Sequence, residues 1–347
     1  MTFINQDDQN KEDYHLKGSQ IDFTDRKTLA VPTRNRTEEF AFSPYAFDQM
    51  MDMIKIPSKY ISTCPVTGKG GMKDQIEYRM EQRLANDHLI RVRRTPQEDG
   101  VAGMVRAVLP GDYAPFDYRD LVPTLRRAMN EVGEGFKLEL SNAQDPKSVE
   151  CSLHLRFVRN VAFNFEELGI NDPHKMGFHC KVSEIGDGPI TMSALVWRQI
   201  CSNGMMGWGD SEVLRLQHRH LHKHEVHPQV TEAVWASIRQ EEPMREMLSR
   251  KYLEPVNDPD TTLRLMGARM NVSDFVLDEA LGVLRRDTAS KEEVNRFDLM
   301  QAFTRVAHGL PMSDRVRLEQ AVGKFAFGNQ PVVAVQAQSP GTADSDD

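Results

Sequence analysis

The spacing of the hydrophobic side chains changes part-way along this chain of 347 residues. Between residues 89 and 201 the apolar residues occur in short runs or at every second position, which is typical of β-strands. From residue 228 onward they recur at intervals of three and four, which is typical of amphipathic helices. A run of strands followed by a run of helices predicts an α+β fold and argues against a parallel α/β sheet.

The strand-rich region predicts a mixed or mostly antiparallel sheet with flanking helices. Residues 89–93 alternate polar and apolar, residues 101–109 are apolar, and the polar link between them indicates a hairpin loop. The longest predicted strand covers residues 190–201 and ends at Ser202-Asn203-Gly204. Helical spacing within the same half of the chain predicts helices near residues 44–54, 74–86 and 120–129.

These patterns divide the chain into four regions. Residues 1–40 are polar with no sustained period and are predicted to form a flexible N-terminal arm. Residues 41–225 form the predicted α+β core domain, and residues 226–327 form a helical C-terminal region. The last region, residues 328–347, is rich in Gln, Ser, Pro and Asp and is predicted to be a disordered tail.

The composition limits the class of protein. The net charge is −8, whereas a chain that binds nucleic acid over its whole surface usually carries a basic excess. No stretch approaches the roughly 18 consecutive apolar residues of a membrane span, and the polar N-terminus lacks the apolar core of a secretory signal. The four cysteines lie far apart in sequence, which indicates reduced thiols. We therefore expect a cytoplasmic protein without membrane association.

Basic residues are concentrated on the predicted strands, and we single out Arg91, Arg93, Arg106, Arg198 and Lys181. Arg91 and Arg93 are expected to share a strand face, because alternate residues of a strand point the same way. If the strands align, the guanidinium groups line a groove that can follow a phosphate backbone. The alternative is a solvated sheet face whose positive charge is neutralised by the chain's own Asp and Glu residues.

Histidines crowd the segment that follows the predicted strands. In an extended strand His218, His220, His222 and His224 would all project to one face. Imidazoles at this spacing can supply two or three ligands to a divalent metal, and His218, His220 and His222 are the candidate ligands. The alternative is the polar end of a strand that meets the start of a helix.

Five stretches of the sequence carry a resemblance to a known family: residues 56–65, 113–121, 183–186, 197–205 and 218–220. The stretch WRQICSNGM, residues 197–205, contains a Cys-x-Asn-Gly core that precedes a histidine-bearing segment. Over about residues 40–225 the chain resembles the phage/plasmid-like proteins grouped as domain of unknown function 932. The resemblance implies a protein of a phage, prophage or plasmid that works in a bacterial cytoplasm. It implies no particular activity and no catalytic residue.

The leading hypothesis is a non-enzymatic DNA-handling protein that binds or anneals single-stranded DNA in replication or recombination. Its expected partners are single-stranded DNA and further copies of the chain, because affinity for a strand accumulates over several subunits. It requires no cofactor. Two alternatives remain open: a metal-dependent enzyme that uses the histidines of residues 218–227 with a divalent metal, and a structural or host-interaction protein without a ligand.

Overall fold

The computed structural model shows two β-sheets, helices that pack on them, and a group of helices at the C-terminal end. It describes residues 11–24, 27–34, 36–98, 100–133, 135–141, 152–168, 170–198, 203–206, 212–219 and 221–327. The predicted α+β class is confirmed, and so is the mostly antiparallel pairing of the strands.

The first sheet contains β1 (Lys11–Leu16), β2 (Asp22–Phe23), β3 (Thr28–Pro32), β4 (Thr37–Phe42), β5 (His88–Glu98) and β6 (Val101–Pro110). Its strand order is β1-β5-β6-β4-β3-β2. β5 and β6 form the predicted hairpin. β4 runs parallel to β6, and the other pairs are antiparallel.

Three helices follow β4: α1 (Pro44–Ile54), α2 (Ser58–Ile61) and α3 (Met72–Arg83). The predicted start of α1 is confirmed, since the Ser43 side chain accepts a hydrogen bond from the backbone N–H of Ala46 and Pro44 occupies the first helical position. Met50 and Met51 of α1 and Ile76 and Met80 of α3 are buried against the first sheet. This packing gives the first sheet its hydrophobic core.

The prediction of a flexible arm over residues 1–40 is wrong for the residues that the structure describes. Residues 11–42 supply four strands to the first sheet, and β1 and β4 lie beside the hairpin strands. Phe23, Leu29, Val31 and Phe40 are fully buried in its core. β2, β3 and β4 are only two, five and six residues long, so each is too short to give a sustained periodic signal. Residues 1–10 lie outside the described part of the chain.

The second sheet contains β7 (Phe136–Ser141), β8 (Ser152–Phe165), β9 (Ile170–Ser183), β10 (Ile190–Arg198), β11 (Asn203–Met206) and β12 (Glu212–Leu216). Its strand order is β11-β10-β9-β8-β7, and β12 shares with β11 the outer edge of β10. All of these pairs are antiparallel. One face of the sheet is apolar and packs on α4 (Tyr118–Val132) and α5 (Lys223–Arg239).

The remaining helices are α6 (Glu241–Leu253), α7 (Pro259–Met270), α8 (Asp274–Asp287), α9 (Arg296–His308) and α10 (Met312–Phe327). They pack on one another and on the ends of β8, β9 and β10. Pro243 lies in the first turn of α6, where a proline is tolerated because its missing N–H has no partner within the helix. The predicted disordered tail, residues 328–347, lies outside the described residues. In the part of the chain described, no helix is long and apolar enough to span a bilayer.

Candidate functional site

The second sheet presents polar side chains on the face opposite α4 and α5. Strand alternation places alternate residues of each strand on this face, which we call the polar face: Ser152, His154 and Arg156 of β8, His179 and Lys181 of β9, Thr191 and Ser193 of β10, and Arg215 of β12. α10 covers one end of it, where Val316 packs against Val158, Leu195 and Trp197. The other end is open, because Lys181 and Thr191 are partly exposed and Arg215 is exposed.

Four residues stand directly opposite one another across the open end of the polar face. His154 pairs with Lys181, Lys181 with Thr191, and Thr191 with Arg215. Lys181, Thr191 and Arg215 form what we call the cationic row, which spans about 10 Å because neighbouring strands lie about 4.8 Å apart. The two basic side chains therefore lie on either side of Thr191, and His154 lies beside Lys181.

The predicted site residue Arg91 lies elsewhere, in a buried ion-pair network beside the first sheet. Its guanidinium is only 2% exposed and donates to both carboxylate oxygens of Asp13, at 2.8 and 3.1 Å, and of Asp117, at 2.7 Å each. It also donates to the backbone carbonyl of Glu184 at 2.6 Å. All the N–H groups of this guanidinium therefore donate to atoms of the protein.

Arg106 joins the same network through the side chain of Glu184. Arg106 Nη2 lies 2.7 Å from Glu184 Oε2, and both side chains are buried. Nearby, the Tyr113 hydroxyl donates to the carbonyl of Ser183 at 3.1 Å, and its ring stacks on His218 with the centroids 4.6 Å apart. Three of the stretches that carry the family resemblance, residues 113–121, 183–186 and 218–220, thus meet at one structural junction.

The predicted groove lined by guanidinium groups is not formed by Arg91 and Arg106. Both are buried and paired with carboxylates, so neither presents its charge to a phosphate at the surface. Such groups are expected to hold the fold together, because a buried charge is stable only when it is paired and hydrogen-bonded. The alternative of a solvated, neutralised sheet face is correct for these two residues only as to neutralisation, because both are buried.

The other predicted residues lie apart from this junction. Arg198 Nε donates to Asp172 Oδ2 at 2.6 Å, and Asp172 also accepts from the Tyr252 hydroxyl at 2.5 Å. Lys181 lies on the polar face, seven residues from Arg198 along the β9–β10 pairing, which is about 23 Å. Arg93 is partly buried on β5. The five basic residues therefore do not converge on one channel.

The prediction that the histidines share one strand face is wrong. β12 ends at Leu216, and His218 lies in a bend that follows it. His222 immediately precedes α5, and His224 and His227 lie within that helix. His218 is buried, and its Nδ1 lies 3.2 Å from the carbonyl oxygen of Ala114. His222 is exposed, and His220 lies outside the described residues. Among described side chains, no group of three or more His, Cys, Asp or Glu is arranged to hold a metal ion.

A buried histidine pair occupies the middle of the polar face. His154 Nδ1 lies 3.0 Å from His179 Nε2, and the rings stack with their centroids 5.1 Å apart. Burial, together with the charges of Lys181 and Arg156, lowers the pKa of His154 from 6.5 to about 4. Burial likewise holds the pKa of His179 well below 6.5. Both imidazoles are therefore neutral near pH 7, and the N–H group of one ring donates a hydrogen bond to the other ring.

We expect the stability of the protein to fall as the pH decreases from about 7 to about 4. In this window the unfolded chain protonates His154 and His179 near pH 6.5, whereas the native state resists protonation, so acid favours unfolding. Each such histidine contributes up to about 1.4 kcal/mol per pH unit. Urea denaturation at several pH values measures the slope. His154→Gln should reduce it, whereas exposed His222→Gln should not, and equal slopes would contradict this assignment.

Comparisons with protein-family models, with curated proteins and with solved structures found no match to this chain. The resemblance to the phage/plasmid-like family stays a prediction from the sequence. The geometry of the described residues is the remaining basis for a functional proposal.

Sequence reasoning missed the carboxylates that neutralise the strand arginines. Asp117 and Glu184 lie within the stretches quoted for the resemblance, but no local spacing links them to Arg91 or Arg106. The sequence alone indicates part of the polar face, because strand alternation in β8 places Ser152, His154 and Arg156 on one face. Arg215 was missed because only the pairing of β12 with β10 brings it opposite Thr191.

Proposed function

We propose that this chain is a non-enzymatic nucleic-acid-binding protein that holds single-stranded DNA across the open end of the polar face. The observation that carries the proposal is the cationic row, in which Lys181 and Arg215 flank Thr191 on adjoining strands. An open sheet surface with aligned basic side chains can follow a flexible phosphate backbone without reading its sequence. The proposed binding surface is therefore the open end of the polar face and not the predicted groove of strand arginines.

The ion pair of Lys181 leaves its charge accessible to a phosphate. Its Nζ lies 3.4 Å from Asp187 Oδ2, and the two side chains are 28% and 44% exposed. Exposed pairs of this kind contribute only about 0–1 kcal/mol, so a phosphate oxygen can compete with the Asp187 carboxylate. Arg91 and Arg106 differ in this respect, because their pairs are buried.

The biological setting is proposed from the family resemblance. A phage or plasmid protein that binds single strands acts in replication or recombination, where unpaired DNA is exposed. The net charge of −8 disfavours binding over the whole surface and is compatible with one local basic face. A short row contacts few phosphates, so useful affinity requires several subunits along the same strand.

The double variant Lys181→Glu/Arg215→Glu should weaken binding of single-stranded DNA by about tenfold or more at low salt. Each lost phosphate contact should also reduce the slope of log K against log salt by about 0.7. Fluorescence anisotropy with a labelled oligonucleotide at about 50 and 200 mM salt measures both quantities.

Arg264→Glu combined with Arg286→Glu is the matched control, because both arginines are exposed on α7 and α8 and the change in net charge is the same. It should leave affinity within about twofold. Equal weakening by the control would reduce the effect to overall charge, and absence of binding by the unaltered protein at low salt would end the proposal.

A further inference from the structure

A buried cluster of three charged side chains lies between the polar face and α10. Arg156 of β8 uses Nη1 and Nη2 to contact the two carboxylate oxygens of Glu319, and the Nη1 to Oε1 distance is 3.1 Å. Arg315, one turn earlier in α10, donates from Nε to the same Oε1 atom at 3.0 Å. Arg156 and Glu319 are inaccessible to solvent, and Arg315 is 5% exposed.

The charges of this cluster do not balance among the side chains that the structure describes. Two guanidinium groups share one carboxylate, which leaves one excess positive charge in a buried position. Two N–H groups also remain without a hydrogen-bond partner, at Arg156 Nε and Arg315 Nη2. Burial and the neighbouring charge of Arg156 lower the pKa of Arg315. An unbalanced buried charge with unsatisfied donors is costly unless an anion compensates it.

The neighbouring histidines give no negative charge to this cluster. His179 stands directly opposite Arg156 in the β8–β9 pairing and bonds to His154. Both imidazoles are neutral near pH 7, for the reasons given above. One of their two N–H groups is used in this mutual hydrogen bond, so the pair adds no more than one further donor beside the guanidiniums.

We propose that the cluster of Arg156, Arg315 and Glu319 is a binding site for a small oxyanion of the phosphate or sulfate class. The anion accepts hydrogen bonds from the free donors of the two guanidinium groups and neutralises their excess charge. The burial of the cluster favours a free inorganic anion over the phosphodiester of a bound strand. This site is independent of the cationic row, and neither proposal requires the other.

Inorganic phosphate should raise the Tm of the protein above that in chloride at equal ionic strength and pH. At a phosphate concentration about 100-fold above its Kd the rise should be about 3 °C. Arg315→Gln should abolish the phosphate-specific rise. The control is Arg317→Gln on the same helix, whose side chain is 83% exposed, and it should retain the rise. An equal rise in both variants, or none in the unaltered protein, would overturn the proposal.

A spectroscopic readout on the unaltered protein avoids any dependence on folding of the variants. Bound phosphate should shift the imidazole NMR signals of His179, which stands opposite Arg156, and leave those of exposed His222 and His224 unchanged. An oligonucleotide without terminal phosphates, added at the same phosphate concentration, should not reproduce the shift. If only the oligonucleotide shifts these signals, the strand is the ligand and the assignment to a free anion fails.

Discussion

Arg156→Gln is expected to lower the free energy of unfolding by about 2–4 kcal/mol. The physical reason is that Arg156 provides two hydrogen bonds to Glu319, and neither side chain is accessible to water. The ion pair of Glu319 with Arg315 remains and the excess positive charge of the cluster is removed, so the loss is limited to these hydrogen bonds. Urea denaturation followed by circular dichroism measures the loss.

The matched control for Arg156→Gln is Arg127→Gln on α4. Arg127 also pairs with a glutamate, Glu131, at 3.0 Å, but its side chain is 71% exposed. An exposed pair contributes about 0–1 kcal/mol, so the control should change stability by no more than that. A loss of similar size in both variants would show that burial of the Arg156 pair is energetically unimportant.

Replacement of all three residues of the cluster together should cost less stability than Arg156→Gln alone. The triple variant Arg156→Met/Arg315→Met/Glu319→Leu removes all three charges together, so no buried ion is left without its partner. We expect its stability in chloride to lie within about 2 kcal/mol of the unaltered protein, in either direction. It should also lose any stabilisation by phosphate, which would link the cluster to the anion.

The fold class was accessible from the sequence because it depends on local spacing. α1, α3 and the C-terminal helices repeat their apolar residues over three or more turns, and the β5–β6 hairpin alternates around a polar loop. β1, β2 and β4 were not found, because segments of two to six residues give no reliable period. Their burial depends on pairing with one another and with β5 and β6, which local spacing does not report.

The candidate site was less accessible, because its pairings join residues far apart in sequence. Arg91 meets Asp117 across 26 residues, Arg106 meets Glu184 across 78, and Arg156 meets Glu319 across 163. Alternation correctly places arginines on strands, but it cannot show which carboxylate reaches them. The histidine segment failed for a related reason, since a strand that ends at Leu216 and a helix that begins at Lys223 share no common face.

Arg91→Gln is the second substitution with a large expected effect, a loss of about 3 kcal/mol in the free energy of unfolding. Asp13 and Asp117 are 33% and 20% exposed, so water partly solvates them once Arg91 is removed, which limits the loss. Arg91→Lys should recover less than half of it, because a single ammonium cannot match two bidentate contacts and the Glu184 carbonyl together.

The contacts of Arg91 predict which segments lose stability in Arg91→Gln. Its partners lie on β1, before α4 and after β9, so it ties the first sheet to the segments that enter the second. Amide hydrogen exchange should therefore accelerate in Arg91→Gln around residues 113–117 and 183–185, with α7 and α8 unaffected. The control Arg250→Gln, from an exposed pair within α6, should cost at most about 0.5 kcal/mol and alter neither region. Uniform acceleration throughout the chain would mean that Arg91 supports global stability alone and does not join the two sheets.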